Sequence, residues 1–227
     1  MDTKKSSSGR SLVRAVAGDQ LGDIIFDIAE VMLDQNLADG PLKDFPFIGE
    51  LARSARIKQS ITEELFIRKL GRFLSDLKNV PIEDREKLLE KYPDSSDNQR
   101  VLGENLLLAL DRLDDIEKPA ILARFFSAYI KSEIDYLTFT RLARALEKFN
   151  LELLPNLRWF YTRKEPAVET PEEIIHELSL AGLATVGLEG SGMLGGSAGY
   201  RHSNLGKTFL LIGFNIQLAY DAIANAP

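Results

Sequence analysis

Two histidines, His176 and His202, are the side chains of this sequence best suited to move protons near neutral pH. A nucleophilic site would place a serine or cysteine and an orienting carboxylate beside one of them. The chain has no cysteine, and no spacing brings a serine and a carboxylate to either histidine. Zinc would need further ligands at a recognisable spacing. We therefore expect no catalytic residue, no metal site and no cofactor, and we predict that the protein is not an enzyme.

Two short strings have the glycine spacing of phosphate-binding loops. Gly190–Gly195 fits the pattern G-x-G-x-x-G, but more glycine follows where a dinucleotide site requires a helix. Gly206-Lys207-Thr208 is similar to the end of a P-loop, yet Arg201 occupies the place of its first glycine. Without that loop there is no ring of backbone amides to hold a phosphate. The sequence thus predicts no nucleotide site.

Apolar residues at helical spacing fill most of the chain and predict a mainly α fold, a multi-helix bundle. Residues 1–17 are rich in Lys, Ser and Arg and predict a flexible tail. The bundle is expected over 18–161, and a polar, proline-containing linker over 162–169. Residues 170–227 are predicted to form a small α+β unit with one β-hairpin, packed on the bundle.

The C-terminal unit carries the clearest local signals. Thr170-Pro171-Glu172-Glu173 predicts a helix start with a capping box. Strands are expected at 183–188 and 200–202, on either side of a glycine-rich tip at Gly190–Gly199. Ser203 is placed to cap a last helix.

This unit resembles the C-terminal end of winged helix-turn-helix domains. The resemblance rests on the order helix, Gly-Leu and hairpin, and on the string Tyr200-Arg-His-Ser-Asn-Leu-Gly-Lys-Thr-Phe-Leu210. The resemblance implies DNA binding, with the helix before the hairpin in the major groove. Candidate wing-tip residues are Gly192, Met193, Leu194 and Arg201. That helix, however, carries three glutamates and no Lys or Arg, and residues 161–227 hold four Lys or Arg against seven Asp or Glu. Because DNA affinity depends on neutralising phosphates, nucleic acid is the disfavoured partner.

One basic window stands out in a chain with a formal net charge of −6. Residues 51–80 hold seven Lys or Arg against three Asp or Glu, next to two phenylalanines. The region could bind an anionic ligand or an anionic membrane surface. The alternative is that it docks acidic groups of the same chain. The candidate residues are Phe45, Phe47, Arg53, Arg56, Lys58, Arg68, Lys69 and Arg72.

The stretches Lys43–Gly49, Phe66–Phe73 and Asn105–Asp115 are similar to uncharacterised bacterial helical proteins, which implies a bacterial origin. We expect a cytoplasmic, non-enzymatic interaction protein, an adaptor or sensor with a protein partner, in a stress or phage-defence setting. Peripheral binding to anionic membrane through residues 45–78 is one alternative. A winged-helix DNA-binding regulator is the other. The sequence leaves the oligomeric state open.

Overall fold

The computed structural model describes residues 7–33, 61–93, 97–163, 170–189 and 197–217. The chain forms two compact units that divide between Glu133 and Ile134. The described residues are mainly helical, with one two-stranded antiparallel sheet near the C-terminus. The predicted fold class, a mainly α chain with a single small hairpin, is confirmed.

The N-terminal unit is built from helices that each bury one apolar stripe. Its helices are α1 (Ser7–Ala17), α2 (Leu21–Leu33), α3 (Ile61–Leu77), α4 (Ile82–Lys91), α5 (Asn98–Arg112) and α6 (Lys118–Ile130). Helix α1 packs on α5 and α4, α2 packs on α3, and α3 packs on α6. Phe73 and Phe126 meet in the core with ring centroids 6.0 Å apart, and the aromatic residues at helical spacing in α6 are buried.

Residues 7–17 form α1, so the predicted flexible tail is wrong for this stretch. Leu12, Val13 and Val16 are buried. The backbone of Gly9 lies so close to Gly103 of α5 that neither position has room for a Cβ atom. Serine and glycine are poor helix formers, and packing against α5 decides the conformation here. Residues 1–6 lie outside the described residues.

Arg85 of α4 fixes the end of α1 and is itself buried. Its Nη1 donates to the carbonyl oxygens of Val16 and Gly18, each at 2.7 Å, and its Nε donates to that of Val80 at 3.2 Å. The last carbonyls of a helix have no partner inside the helix and carry partial negative charge. The guanidinium therefore satisfies and stabilises the C-terminus of α1.

Replacing this guanidinium with an apolar side chain is expected to loosen α1. We predict that Arg85→Met lowers the free energy of unfolding by about 2–3 kcal/mol, because two buried carbonyl groups and one partly buried carbonyl group lose a charged donor. Hydrogen exchange should accelerate in α1 more than in α6. Arg158→Met, which removes an exposed arginine from the C-terminal unit, is the matched control. Equal exchange of α1 in both variants would contradict the prediction.

The described residues of the C-terminal unit form three helices, a hairpin and a last helix. Its elements are α7 (Tyr136–Lys148), a 3-10 turn (Leu151–Leu153), α8 (Leu154–Thr162), α9 (Glu172–Leu180), β1 (Ala184–Glu189), β2 (Ser197–His202) and α10 (Asn204–Phe214). Helix α7 contacts α10. The rings of Phe149 and Phe209 meet edge to face at 5.3 Å. Residues before the predicted linker at 162–169 thus share a core with the last helix, and the division between the units lies N-terminal to that linker.

The hairpin pairs β1 with β2 in register from Ala184 opposite His202 to Glu189 opposite Ser197. Both predicted strands are present. Residues 197–199, predicted as part of the glycine-rich tip, belong to β2, while 190–196 lie outside the described residues. Because a strand follows the G-x-G-x-x-G string, the helix that a dinucleotide site requires is replaced by β2.

Side-chain caps begin two helices of this unit, one of them at the predicted Ser203, and a predicted capping box is absent. The Asp135 carboxylate accepts from the amide of Thr138 at 2.7 Å, and Ser203 Oγ accepts from that of Gly206 at 2.8 Å. The capping box predicted for Thr170 does not form, since α9 begins after Pro171 without a side-chain cap. Thr170 Oγ1 instead lies 3.4 Å from Asn156 Nδ2.

Candidate functional site

Three of the candidate cations of the basic window, Arg68, Lys69 and Arg72, lie on α3, and each contacts an oxygen of the N-terminal unit. Arg68 pairs with Glu64 at 2.5 Å, and Arg72 pairs with Glu117 at 3.1 Å. Lys69 donates to the backbone carbonyl of Asp111 at 3.1 Å. The two arginines are about half exposed, so these pairs are weak.

The other candidates for this patch, Phe45, Phe47, Arg53, Arg56 and Lys58, lie outside the described residues. On α3 the partners come from the same unit, which favours the intramolecular alternative for this half of the window. An anionic surface would have to displace Glu64 and Glu117 to reach both arginines.

Of the candidate wing-tip residues, only Arg201 is described; Gly192, Met193 and Leu194 lie outside. Arg201 is exposed on β2 opposite Thr185, whose hydroxyl donates to the Arg201 carbonyl at 3.3 Å. The hairpin therefore fixes its backbone and presents the residue at the surface.

The two histidines occupy separate places. His176 Nδ1 lies 3.2 Å from the hydroxyl of Tyr200 at the surface. His202 stacks on Tyr161 with ring centroids 4.4 Å apart, and its Nε2 lies 2.9 Å from the Phe160 carbonyl. A carbonyl only accepts, so Nε2 carries the hydrogen. His202 thus joins α8 to β2.

Ser203 directly follows His202 in the sequence. Its hydroxyl already takes part in hydrogen bonds to the backbone. Ser203 Oγ donates to the Gly182 carbonyl at 2.9 Å and accepts from the Gly206 amide. A serine held in this way is a helix cap rather than a nucleophile. Among the described residues, no group of three or more His, Cys, Asp or Glu could hold a metal ion.

An ion pair at the start of α6 joins a buried cation to an exposed carboxylate. The side chain of Lys118 is only 2% exposed, and its Nζ lies 2.5 Å from Asp114 Oδ1, which faces solvent. The hydrogen bond from Lys118 holds the pKa of Asp114 below its usual value of 3.8, against the opposing effect of desolvation.

We predict that Asp114→Asn lowers the free energy of unfolding at pH 7 by roughly 1 kcal/mol, a value reduced by solvent screening. The folded-state pKa is depressed, so the stabilisation is present above 3.8 and is lost as pH falls through the folded pKa. Urea titrations should show the difference from wild type shrinking below that pH. Asp111→Asn is the control. A difference that persists at low pH would count against an ionic origin.

Helix α9 presents an acidic surface. Leu178 is its one buried residue. Glu173, Glu177 and Leu180 follow each other at spacings of four and three, which places them on one helix face, and all three are exposed. We name these three residues the acidic stripe. Leu180 is 64% exposed, and Val186 of the adjoining strand β1 is 59% exposed.

Helix α7 presents a basic surface that is not among those predicted from the sequence. Leu137, Arg141, Arg144 and Lys148 recur at spacings of four, three and four, and all are exposed. We name these four residues the basic stripe. The opposite face buries Phe139, Leu142, Ala145 and Leu146. The periodicity was readable from the sequence. The stripe lies outside both segments whose charge balance stands out in the sequence, residues 51–80 and 161–227.

No protein-family model, curated protein or solved structure matches this chain. Within the described residues, every helix is too short or too polar to cross a membrane.

Proposed function

We propose that the protein is a non-enzymatic interaction protein, an adaptor or sensor, whose C-terminal unit docks a protein partner through α9. The observation that carries the proposal is the surface of this helix, which buries only Leu178 and exposes the acidic stripe. Charge supplies orientation and specificity in protein contacts, and an exposed leucine supplies apolar area. The partner surface should therefore combine basic and apolar residues. A bacterial origin and a cytoplasmic location belong to the same proposal.

The proposal keeps the winged-helix-like shape of the C-terminal unit but not the DNA binding that the resemblance implies. The order α7, α8, α9, hairpin supports a winged-helix-like arrangement. In such a domain α9 would be the recognition helix, and its three glutamates would repel the phosphates of DNA. We infer that this helix contacts protein rather than a DNA groove.

Affinity capture with the full chain tests the proposal. Glu173→Arg/Glu177→Arg reverses the acidic stripe. Glu86→Arg/Glu90→Arg reverses two exposed glutamates at the same spacing on α4 and is the matched control. Proteins retained by wild type and by the control, and lost with the stripe variant, would support docking by α9. An identical set of retained proteins for all three chains would reject it.

The sequence alternatives have tests of their own. Peripheral binding to anionic membrane requires α3 to exchange its internal partners for lipid, so co-sedimentation with phosphatidylserine vesicles at low salt should fall for Arg68→Glu/Arg72→Glu. A regulator that binds DNA with its wing should lose a gel shift when Arg201 and Lys207 are changed to glutamate. If wild type does not co-sediment with the vesicles, membrane binding is rejected. If wild type gives no gel shift, DNA binding is rejected.

A further inference from the structure

The C-terminal unit carries two exposed helix stripes of opposite charge. The basic stripe of α7 lies opposite that helix's buried face, and the acidic stripe occupies an exposed face of α9. In the part of the chain that the structure describes, no ion pair links Arg141 or Arg144 to Glu173 or Glu177. Both stripes are therefore open to an outside partner.

The segment of the basic stripe from Leu137 to Arg144 matches the acidic stripe in order and in length. Leu137 and Arg144 are seven residues apart on α7, and Leu180 and Glu173 are seven apart on α9, about 10 Å in each helix. In an antiparallel pairing, Leu137 lies beside Leu180. Arg141 then lies beside Glu177, and Arg144 beside Glu173. Both glutamates of the acidic stripe then meet an arginine, while Lys148 lies beyond the paired segment. The two leucines that meet are the most exposed leucines among the described residues of the unit.

We propose that two copies of this chain associate through these stripes, α7 of one copy against α9 of the other. The inference rests on the proposed use of α9 as a docking helix and names its partner. A second copy satisfies the partner chemistry already required, since the basic stripe combines cations with an exposed leucine. Nucleic acid would use the cations of α7 but would leave Leu137 in water and be repelled by the acidic stripe.

Self-association of this kind should be weak and sensitive to salt. Exposed ion pairs each contribute little, and they weaken further when salt shortens the screening length. Sedimentation of the full chain at about 10 to 500 µM should show an average mass that rises with concentration. Raising the salt from about 50 mM to 500 mM, where the Debye length falls below 5 Å, should weaken association about tenfold.

Charge reversal and its rescue test the pairing directly. Arg141→Glu/Arg144→Glu makes both stripes acidic, and Glu173→Arg/Glu177→Arg makes both basic. Each variant alone should sediment as a monomer, and an equimolar mixture should associate again, because each stripe then finds its opposite on the other chain. The controls Glu86→Arg/Glu90→Arg and Lys78→Glu/Lys131→Glu change the same number of charges elsewhere and should behave as wild type.

A monomeric wild type at all concentrations would overturn the inference, as would reversed variants that still associate or a mixture that stays monomeric. A monomeric chain that binds duplex DNA, and loses it with Arg141→Glu/Arg144→Glu, would assign the basic stripe to nucleic acid and also overturn it. Capture of a protein other than this chain by the Arg141→Glu/Arg144→Glu variant separates the two proposals. Docking by α9 would then stand while self-association failed.

Discussion

Gly103→Ala is expected to reduce the free energy of unfolding by more than about 3 kcal/mol, at the upper end of overpacking effects. A Cβ atom on Gly103 of α5 would overlap the carbonyl group and Cα of Gly9, all of them backbone atoms of α1. A side chain could rotate away, but a helix backbone has to shift as a body. Alanine should otherwise favour a helix over glycine by about 1 kcal/mol, so a net loss of stability has the close contact as its cause.

Other helical glycines provide the comparison for this prediction. A Cβ on Gly22 of α2 would meet only Lys78 Cε and Nζ at 3.8 Å, an ordinary contact, so Gly22→Ala should be neutral or slightly stabilising. Gly71→Ala would press on Ile28 Cγ2 at 2.9 Å and should fall between the two. Urea unfolding of the three variants gives the order. If Gly103→Ala unfolds at the same urea concentration as Gly22→Ala, α1 does not pack against α5 as described.

The contact between Gly9 and Gly103 also shows where sequence reasoning stops. Helices α5 and α6 were predictable because their apolar residues recur with helical spacing and their ends carry proline or charge. Helix α1 has two buried valines and a buried leucine, but its first turn is serine and glycine. Its stability comes from Gly103 and Arg85, residues that lie far along the chain. Local patterns cannot reveal such partners.

The two compact units divide between Glu133 and Ile134 rather than at the predicted linker, for a related reason. Residues 162–169 have the composition of a linker, so the sequence favoured a boundary there. Phe149 packs on Phe209 across that stretch, and Tyr161 bonds to the backbone of Leu183. These contacts join residues before the polar segment to residues after it. A linker composition marks a connection that is free of core residues, and it does not show which elements share a core.

The candidate surfaces were predictable in part. The acidic face of α9 was evident because Glu172, Glu173 and Glu177 lie within six residues. The basic stripe of α7 was readable as well, since Phe139, Leu142 and Leu146 recur at helical spacing and leave the cations on the other face. The complementarity of the two stripes depends on both faces being exposed at once, and only the structure provides that.

Tyr161→Phe is expected to lower the free energy of unfolding of the C-terminal unit by about 3 kcal/mol, since buried groups left without partners cost about 1–3 kcal/mol each. The Tyr161 hydroxyl donates to the Leu183 carbonyl at 2.5 Å and accepts from the Ser203 amide at 2.9 Å. Burial raises the pKa of this hydroxyl, so it remains a donor throughout the neutral range. Removing it leaves both backbone groups unpaired where β1 and α10 begin.

Tyr200→Phe is the matched control for this prediction. Its hydroxyl bonds to His176 at the surface, so the loss should stay below about 0.5 kcal/mol. Urea unfolding and hydrogen exchange at β1 and α10 measure both variants. A loss for Tyr161→Phe no larger than that of the control would show that water replaces the hydroxyl, and that the joint between α8 and the hairpin does not depend on it.

A double-mutant cycle with Gly206 tests the geometry of the same joint. A Cβ on Gly206 would overlap the Tyr161 hydroxyl and the Leu183 carbonyl, so Gly206→Ala alone should be severely destabilising. When Tyr161 is already phenylalanine, the methyl group meets one obstacle fewer, because the hydroxyl oxygen is absent. The double variant should therefore be more stable than the sum of the single effects predicts, by about 1 kcal/mol or more. Strictly additive losses would mean that the methyl group and the hydroxyl never compete for the same space.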